Sequence, residues 1–137
     1  MKFISFKHNK EEKFGIVNNQ VITDLTNKIK GAKTLKDLIA NKGIPEAKKF
    51  ATENSGNINL DEIEYMPLIP NPGKIICVGL NYSEHVKETN RTVEENPVIF
   101  HRFPESQTAH QQPIQRPVAS HSLDYEGEMA VIMGEAG

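Results

Sequence analysis

Apolar positions come in short runs at the start of the chain and again after residue 73, with polar stretches between them. Phe3, Ile4 and Phe6, then Phe14-Gly15-Ile16-Val17, then Val21-Ile22 are strand-length runs, set apart by polar turns at His8–Lys13 and Asn18-Asn19. Residues 2–24 therefore predict a small antiparallel meander. The spacing changes at Thr34-Leu35-Lys36-Asp37-Leu38-Ile39, which predicts a helix capped by Thr34 with Gly43 just past its end. Pro45–Phe50 predicts a further helical turn, residues 54–57 a loop, and Ile58, Leu60 and Ile63 a weak strand. Pro67-Leu68-Ile69-Pro70-Asn71-Pro72-Gly73 reads as a linker between two parts.

Beyond the linker, Lys74-Ile75-Ile76-Cys77-Val78 predicts a buried strand ended by Gly79, followed by a helix over Asn81–Glu88 and a strand at Pro97-Val98-Ile99-Phe100. A long polar stretch punctuated by Pro104, Pro113 and Pro117 then leads into Leu123–Met133. Its end, Met129-Ala130-Val131-Ile132-Met133, is continuously apolar, as in a strand covered on both faces. Short strands with long polar connections predict a β-rich domain whose loops carry function.

Composition narrows the function classes. A length of 137 residues suits one domain, or a small domain and part of a second. A net charge of −2 points to neither nucleic acid nor a membrane surface as partner. Lysine is concentrated in the first half, while every arginine and most histidines lie in the second. The single cysteine, Cys77, cannot form an internal disulfide, which suits a reducing cytoplasm. No apolar run approaches membrane-spanning length, and the start has no signal-peptide pattern.

On a strand, Glu126 and Glu128 project from one face, and carboxylates that close repel unless a cation lies between them. Mg2+, Mn2+ or Ca2+, hard ions that prefer oxygen, fit such a pair, and Gly127 leaves room for close approach. The solvated face of an edge strand fits the same spacing equally well. His85 and Glu88, three apart on a helix, share a face: either a weak surface contact, or an imidazole oriented by a carboxylate to take a proton from water. Cys77, within an apolar strand, reads as a small core residue. Ser120-His121 are neighbours in sequence only, which a catalytic pair does not require. Without an HExxH, a paired CxxC or a glycine-rich phosphate loop, zinc-peptidase, zinc-finger and nucleotide-binding readings lack support.

Together these segments resemble the fumarylacetoacetate hydrolase family. Residues Lys74–Glu88 are similar to its strand and Gly-x-Asn-Tyr-x-x-His-x-x-Glu motif, Pro97–Pro104 to its next strand and loop, and Asp124–Gly134 to its metal-binding strand. The opening meander and helix resemble the small domain these proteins often carry in front. The resemblance implies an α+β protein: a small α+β domain over 1–66, a linker at 67–73, and the start of a β-rich catalytic domain over 74–137. It implies a small 2-oxo acid or β-diketone as substrate, with Mg2+, or Mn2+ or Ca2+, held by Glu126 and Glu128 to polarise the substrate. His85 and Glu88 would be the water-activating dyad, and Arg102 and Tyr82 substrate contacts. As partners it implies a second copy of the chain in a homodimer.

The family pattern continues past this strand to a third acidic ligand and an active-site lysine, neither of which has a counterpart here. His110-Gln111-Gln112 also stands where a glycine-rich turn is expected. Two expectations follow: part of a metal-dependent hydrolase, isomerase or decarboxylase, or a non-catalytic fragment or interaction module retaining the family's scaffold.

Overall fold

The computed structural model describes residues 1–88 and 95–134. The fold is α+β. Its elements are β1 (Lys2–His8), β2 (Glu11–Asn18), β3 (Val21–Asp24), α1 (Leu35–Ala40), α2 (Ile44–Glu53), β4 (Ile58–Asn59), β5 (Glu64–Tyr65), β6 (Ile75–Gly79), α3 (Ser83–Glu88) and β7 (Val98–Arg102). Two compact units result: Met1–Pro70 with Thr108–Gly137, and Asn71–Gln107.

The first unit is built on an antiparallel sheet in the order β4-β3-β2-β1-β5. The meander forms as the pattern predicts, but its first turn is only Asn9-Lys10, both at positive φ (53° and 66°), as a type I′ hairpin turn requires. Glu11, Glu12 and Lys13 lie on β2, where they pair with His8, Lys7 and Phe6. Their polarity marks exposure near the strand's beginning, not an interruption of it.

Both faces of this sheet are covered, which accounts for runs that do not alternate cleanly. On one face Phe14 and Ile16 pack with Leu25, Ile29, Ala32, Leu35, Leu38 and Ala47, which draws in both helices. On the other, Ile4, Phe6, Ile22 and Ile58 meet Val17, Leu60, Ile63 and Tyr65. Each fully buried side chain of this size stabilises by roughly 1.5–3 kcal/mol before the loss of chain entropy is counted. Gly15 permits close approach of β3: a β-carbon there would lie 2.5 Å from Thr23 O.

Helix α1 begins with a capping box. Thr34 Oγ1 accepts from Asp37 N at 3.2 Å, and Asp37 Oδ2 accepts from Thr34 N at 2.9 Å. The hydrogen bond with Thr34, then those from the Lys33 and Thr34 amides, hold the Asp37 carboxyl below its ordinary range against the opposing effect of burial. At the other end Lys42, not Gly43, takes the left-handed conformation, with φ of 56°. Gly43 is closely packed instead: a β-carbon there would come 2.8 Å from Leu38 Cδ1, which would have to shift. Helix α2 is longer than the spacing predicts. Pro45 sits in its first turn, and Asn54 closes it by donating Nδ2 to Phe50 O at 2.8 Å.

Candidate active-site and metal-ligand residues

The second unit carries one group of candidates. β6 and β7 pair antiparallel, with Ile75 opposite Arg102, Cys77 opposite Phe100 and Gly79 opposite Val98. The chain turns sharply at Leu80, with φ of 56°, and enters α3. Val86 is buried, and His85 and Glu88 lie on an exposed part of the helix surface. The spacing brings the two together as expected: His85 Nδ1 lies 3.9 Å from Glu88 Oε2, within ion-pair range and beyond hydrogen-bond length. Lys87 and Glu84 form a closer pair at 3.0 Å. Tyr82, just before the helix, is exposed and accepts from Val86 N through its carbonyl at 3.1 Å.

Arg102 shares a face of β7 with Phe100, and its guanidinium carbon stands 5.1 Å from the ring centroid, a cation–π geometry. That contact limits the paths its side chain can take. Nothing in the sequence reading singled out Phe100 as its support, although i,i+2 spacing on a strand carries the signal.

One expectation for these strands fails. β6 was expected to be buried; instead Ile76 is 64% exposed and, on the same face, Val78 and Ile99 are exposed as well. β-branched content marks a capacity for burial, but covering requires another layer, and the two-strand sheet has none on that face among the described residues.

Glu126 and Glu128 require a second correction. Leu123–Met133 was expected to be a strand, covered on both faces at Met129–Met133, yet it belongs to no strand, and Glu126, Glu128, Met129, Val131 and Met133 are all exposed. A strand exists only where a neighbour satisfies its backbone groups, and no described segment pairs with this run. At Gly127 the nearest contact to an added β-carbon among the described residues, its chain neighbours aside, is the Tyr125 ring at 4.0 Å. Oxygen donors two residues apart are the type a hard cation takes. No group of three or more His, Cys, Asp or Glu suited to a metal occurs among the described residues, so these two supply at most part of a donor set.

At His110-Gln111-Gln112 the expected turn is present without its glycine. Gln111 adopts φ of 64°, the left-handed region that glycine enters without steric cost. Sequence reasoning marked the missing glycine but not what holds the turn in its absence.

Comparison with known proteins places these motifs. Residues 74–137 match the family described as fumarylacetoacetate (FAA) hydrolase C-terminal. Over 91 residues the chain is 36% identical to a mitochondrial oxaloacetate tautomerase of Xenopus laevis, an alignment covering 66% of this chain and 28% of that protein. Over residues 74–137 the chain is part of a fumarylacetoacetate hydrolase family protein. A second relative, a mitochondrial oxaloacetate tautomerase of Rattus norvegicus, is 40% identical over 76 residues, covering 56% of this chain and 24% of its own length. The chain thus spans about a quarter of the curated family relatives it matches. A solved structure from Mycobacterium smegmatis assigned as an HpcE protein superposes with a TM-score of 0.63 at 20% identity, over 83% of this chain and 40% of that one, which extends the fold likeness. No described helix is long and apolar enough to cross a membrane.

Proposed function

We propose that this chain contributes to a divalent-metal-dependent enzyme acting on a small 2-oxo acid or β-diketone, cleaving an acylpyruvate-type carbon–carbon bond with water in a reducing compartment such as the cytoplasm. The observation that carries the reading is the His85–Glu88 pair, 3.9 Å apart immediately after β6. In this reading Glu126 and Glu128 give two ligands to Mg2+, or to Mn2+ or Ca2+, and the remaining donors lie outside the described residues. A bound cation would supply Lewis acidity toward the 2-oxo acid group.

The chain's own residues then have separable tasks. His85 takes a proton from water, and the Glu88 carboxylate fixes the ring's orientation and supports the imidazolium. The hydroxide adds to the carbonyl distal to the 2-oxo acid. The carbon–carbon bond breaks with its electron pair going to the pyruvate side, and His85 returns the proton there, giving a carboxylic acid and pyruvate. Arg102, steadied on Phe100, offers a bidentate contact to the substrate carboxylate, and Tyr82 a contact at the head of α3. A homodimer is the proposed assembly.

A second reading, isomerisation, is favoured by relatives named as oxaloacetate tautomerases. There the same imidazole would shuttle a proton between carbon and oxygen without cleavage. The test is an assay, with Mg2+ present, of a protein of the family's full length carrying this segment, offered acylpyruvates and enol-oxaloacetate. Pyruvate release from acylpyruvates supports the first reading, and tautomerisation alone the second. Turnover of neither, with folding intact, supports a non-catalytic module and rejects both.

A further inference from the structure

One turn fastens the long segment leading toward Glu126 to the amino-terminal sheet. Gln112 donates from Nε2 to Tyr65 O and to Glu64 Oε1, each at 3.2 Å. Its Oε1 accepts from Ala109 N at 3.4 Å, and its own amide donates to Ala109 O at 3.1 Å. The His110 ring meets Tyr65 edge-on, centroids 4.9 Å apart, and Ala109 is buried beside them. A single side chain therefore closes its own turn and grips both residues of β5, an edge strand only two residues long. The following residues through 134 form no strand and are mostly exposed, so their course depends on where they are held. At the far end, a β-carbon on Gly134 would lie 3.5 Å from Ile39 Cγ2 of α1.

We propose that Gln112 is a positioning residue through which β5 fixes the segment bearing Glu126 and Glu128, an inference that rests on the ligand reading of those two carboxylates. Chemistry selects glutamine here. Tyr65 O and the Glu64 carboxylate accept hydrogen bonds here, while Ala109 N donates one, and a single amide meets all three. A glutamate would set one carboxylate against another and lose the donor.

The test uses the 137-residue chain with Cys77→Ala, spin-labelled at Glu12→Cys and Tyr125→Cys, two exposed positions. Pulsed electron resonance reads the distance distribution between the labels. The parent should give a narrow distribution. Gln112→Ala should broaden it severalfold and raise exchange of the backbone amide at position 112 about tenfold, the scale of one lost hydrogen bond. The melting temperature and the amide protection of β1–β3 should be retained. Gln112→Glu should broaden the distribution likewise at neutral pH, and adding Glu64→Gln should narrow it only in part, because the bond between residues 64 and 112 is restored with its donor and acceptor exchanged while Tyr65 O stays without its donor. A distribution equally narrow or equally broad with and without Gln112, or a fall in melting temperature with no change in distance, would overturn the proposal. Failure of the chain to take up Mg2+ would count against the ligand reading alone and leave the distance result standing.

Discussion

Lys13 Nζ and Asp24 Oδ2 stand 3.0 Å apart across β2 and β3, at a junction that also holds the chain's exit from the meander. Asp24 Oδ1 accepts from Thr26 N at 2.8 Å, Thr26 Oγ1 accepts from Phe14 N at 3.1 Å, and Leu25 N donates to Phe14 O at 2.9 Å. The carboxylate thus organises the turn that carries Leu25 into the core.

Burial pushes the Asp24 carboxyl up, but the bonds from Thr26 and Lys13 outweigh it and leave it below the ordinary value of 3.8. Its contribution to stability is therefore complete above that value and is lost as pH falls below it toward the folded-state value. Lys13 is raised above 10.5, chiefly by its bond to Asp24, so its share is present below that value and is lost as pH rises through the folded-state value. Asp24→Asn should cost about 1–3 kcal/mol at neutral pH and flatten the acid limb of stability. Urea unfolding at pH 7 and across pH 2–5, roughly the range of carboxyl titration, is the check.

Thr34→Ala removes the acceptor for Asp37 N and half of the capping box. It should cost about 1 kcal/mol, seen as a lower melting temperature. Thr34→Ser should restore most of it.

Gly15→Ala tests close packing in the sheet. The new methyl would meet Thr23 O at 2.5 Å and Ile22 Cγ2 at 2.7 Å, and a backbone oxygen in a paired strand has little room to yield. A destabilisation of about 1–3 kcal/mol is expected in denaturant unfolding.

These features differ in how far the sequence displays them. The meander and α1 are legible because their determinants are local: Asn9-Lys10 makes its own turn, and Thr34 and Asp37 satisfy each other's amides. The His85–Glu88 pairing is legible for the same reason, as helical spacing alone brings the side chains near. β4 and β5 are too short to leave a pattern and exist through their partners β3 and β1. The grip of Gln112 depends on a carbonyl 47 residues away and leaves no local trace. Leu123–Met133 shows the opposite failure: its apolar pattern is strong, but a pattern cannot supply the neighbouring strand that pairing requires.

The metal reading makes a prediction of its own. With two carboxylates and no group of three or more metal-suited side chains among the described residues, this chain should bind Mg2+ weakly, since each missing charged ligand weakens a hard-cation site. Glu126→Ala and Glu128→Ala should each abolish that binding. Calorimetry showing tight binding that survives either change would remove both residues from the site.

The central claim is that His85 and Glu88 act as one proton-handling unit, and a double-mutant cycle on a full-length family protein carrying this segment measures it directly. Turnover of an acylpyruvate or of enol-oxaloacetate should fall by roughly 10²–10⁴-fold in His85→Ala. Adding Glu88→Ala should cost little more, because residues that work as a unit are strongly non-additive. Metal affinity should barely change in either variant. Losses that multiply independently, or turnover that survives His85→Ala, would contradict the account and leave Glu88 a surface residue of α3.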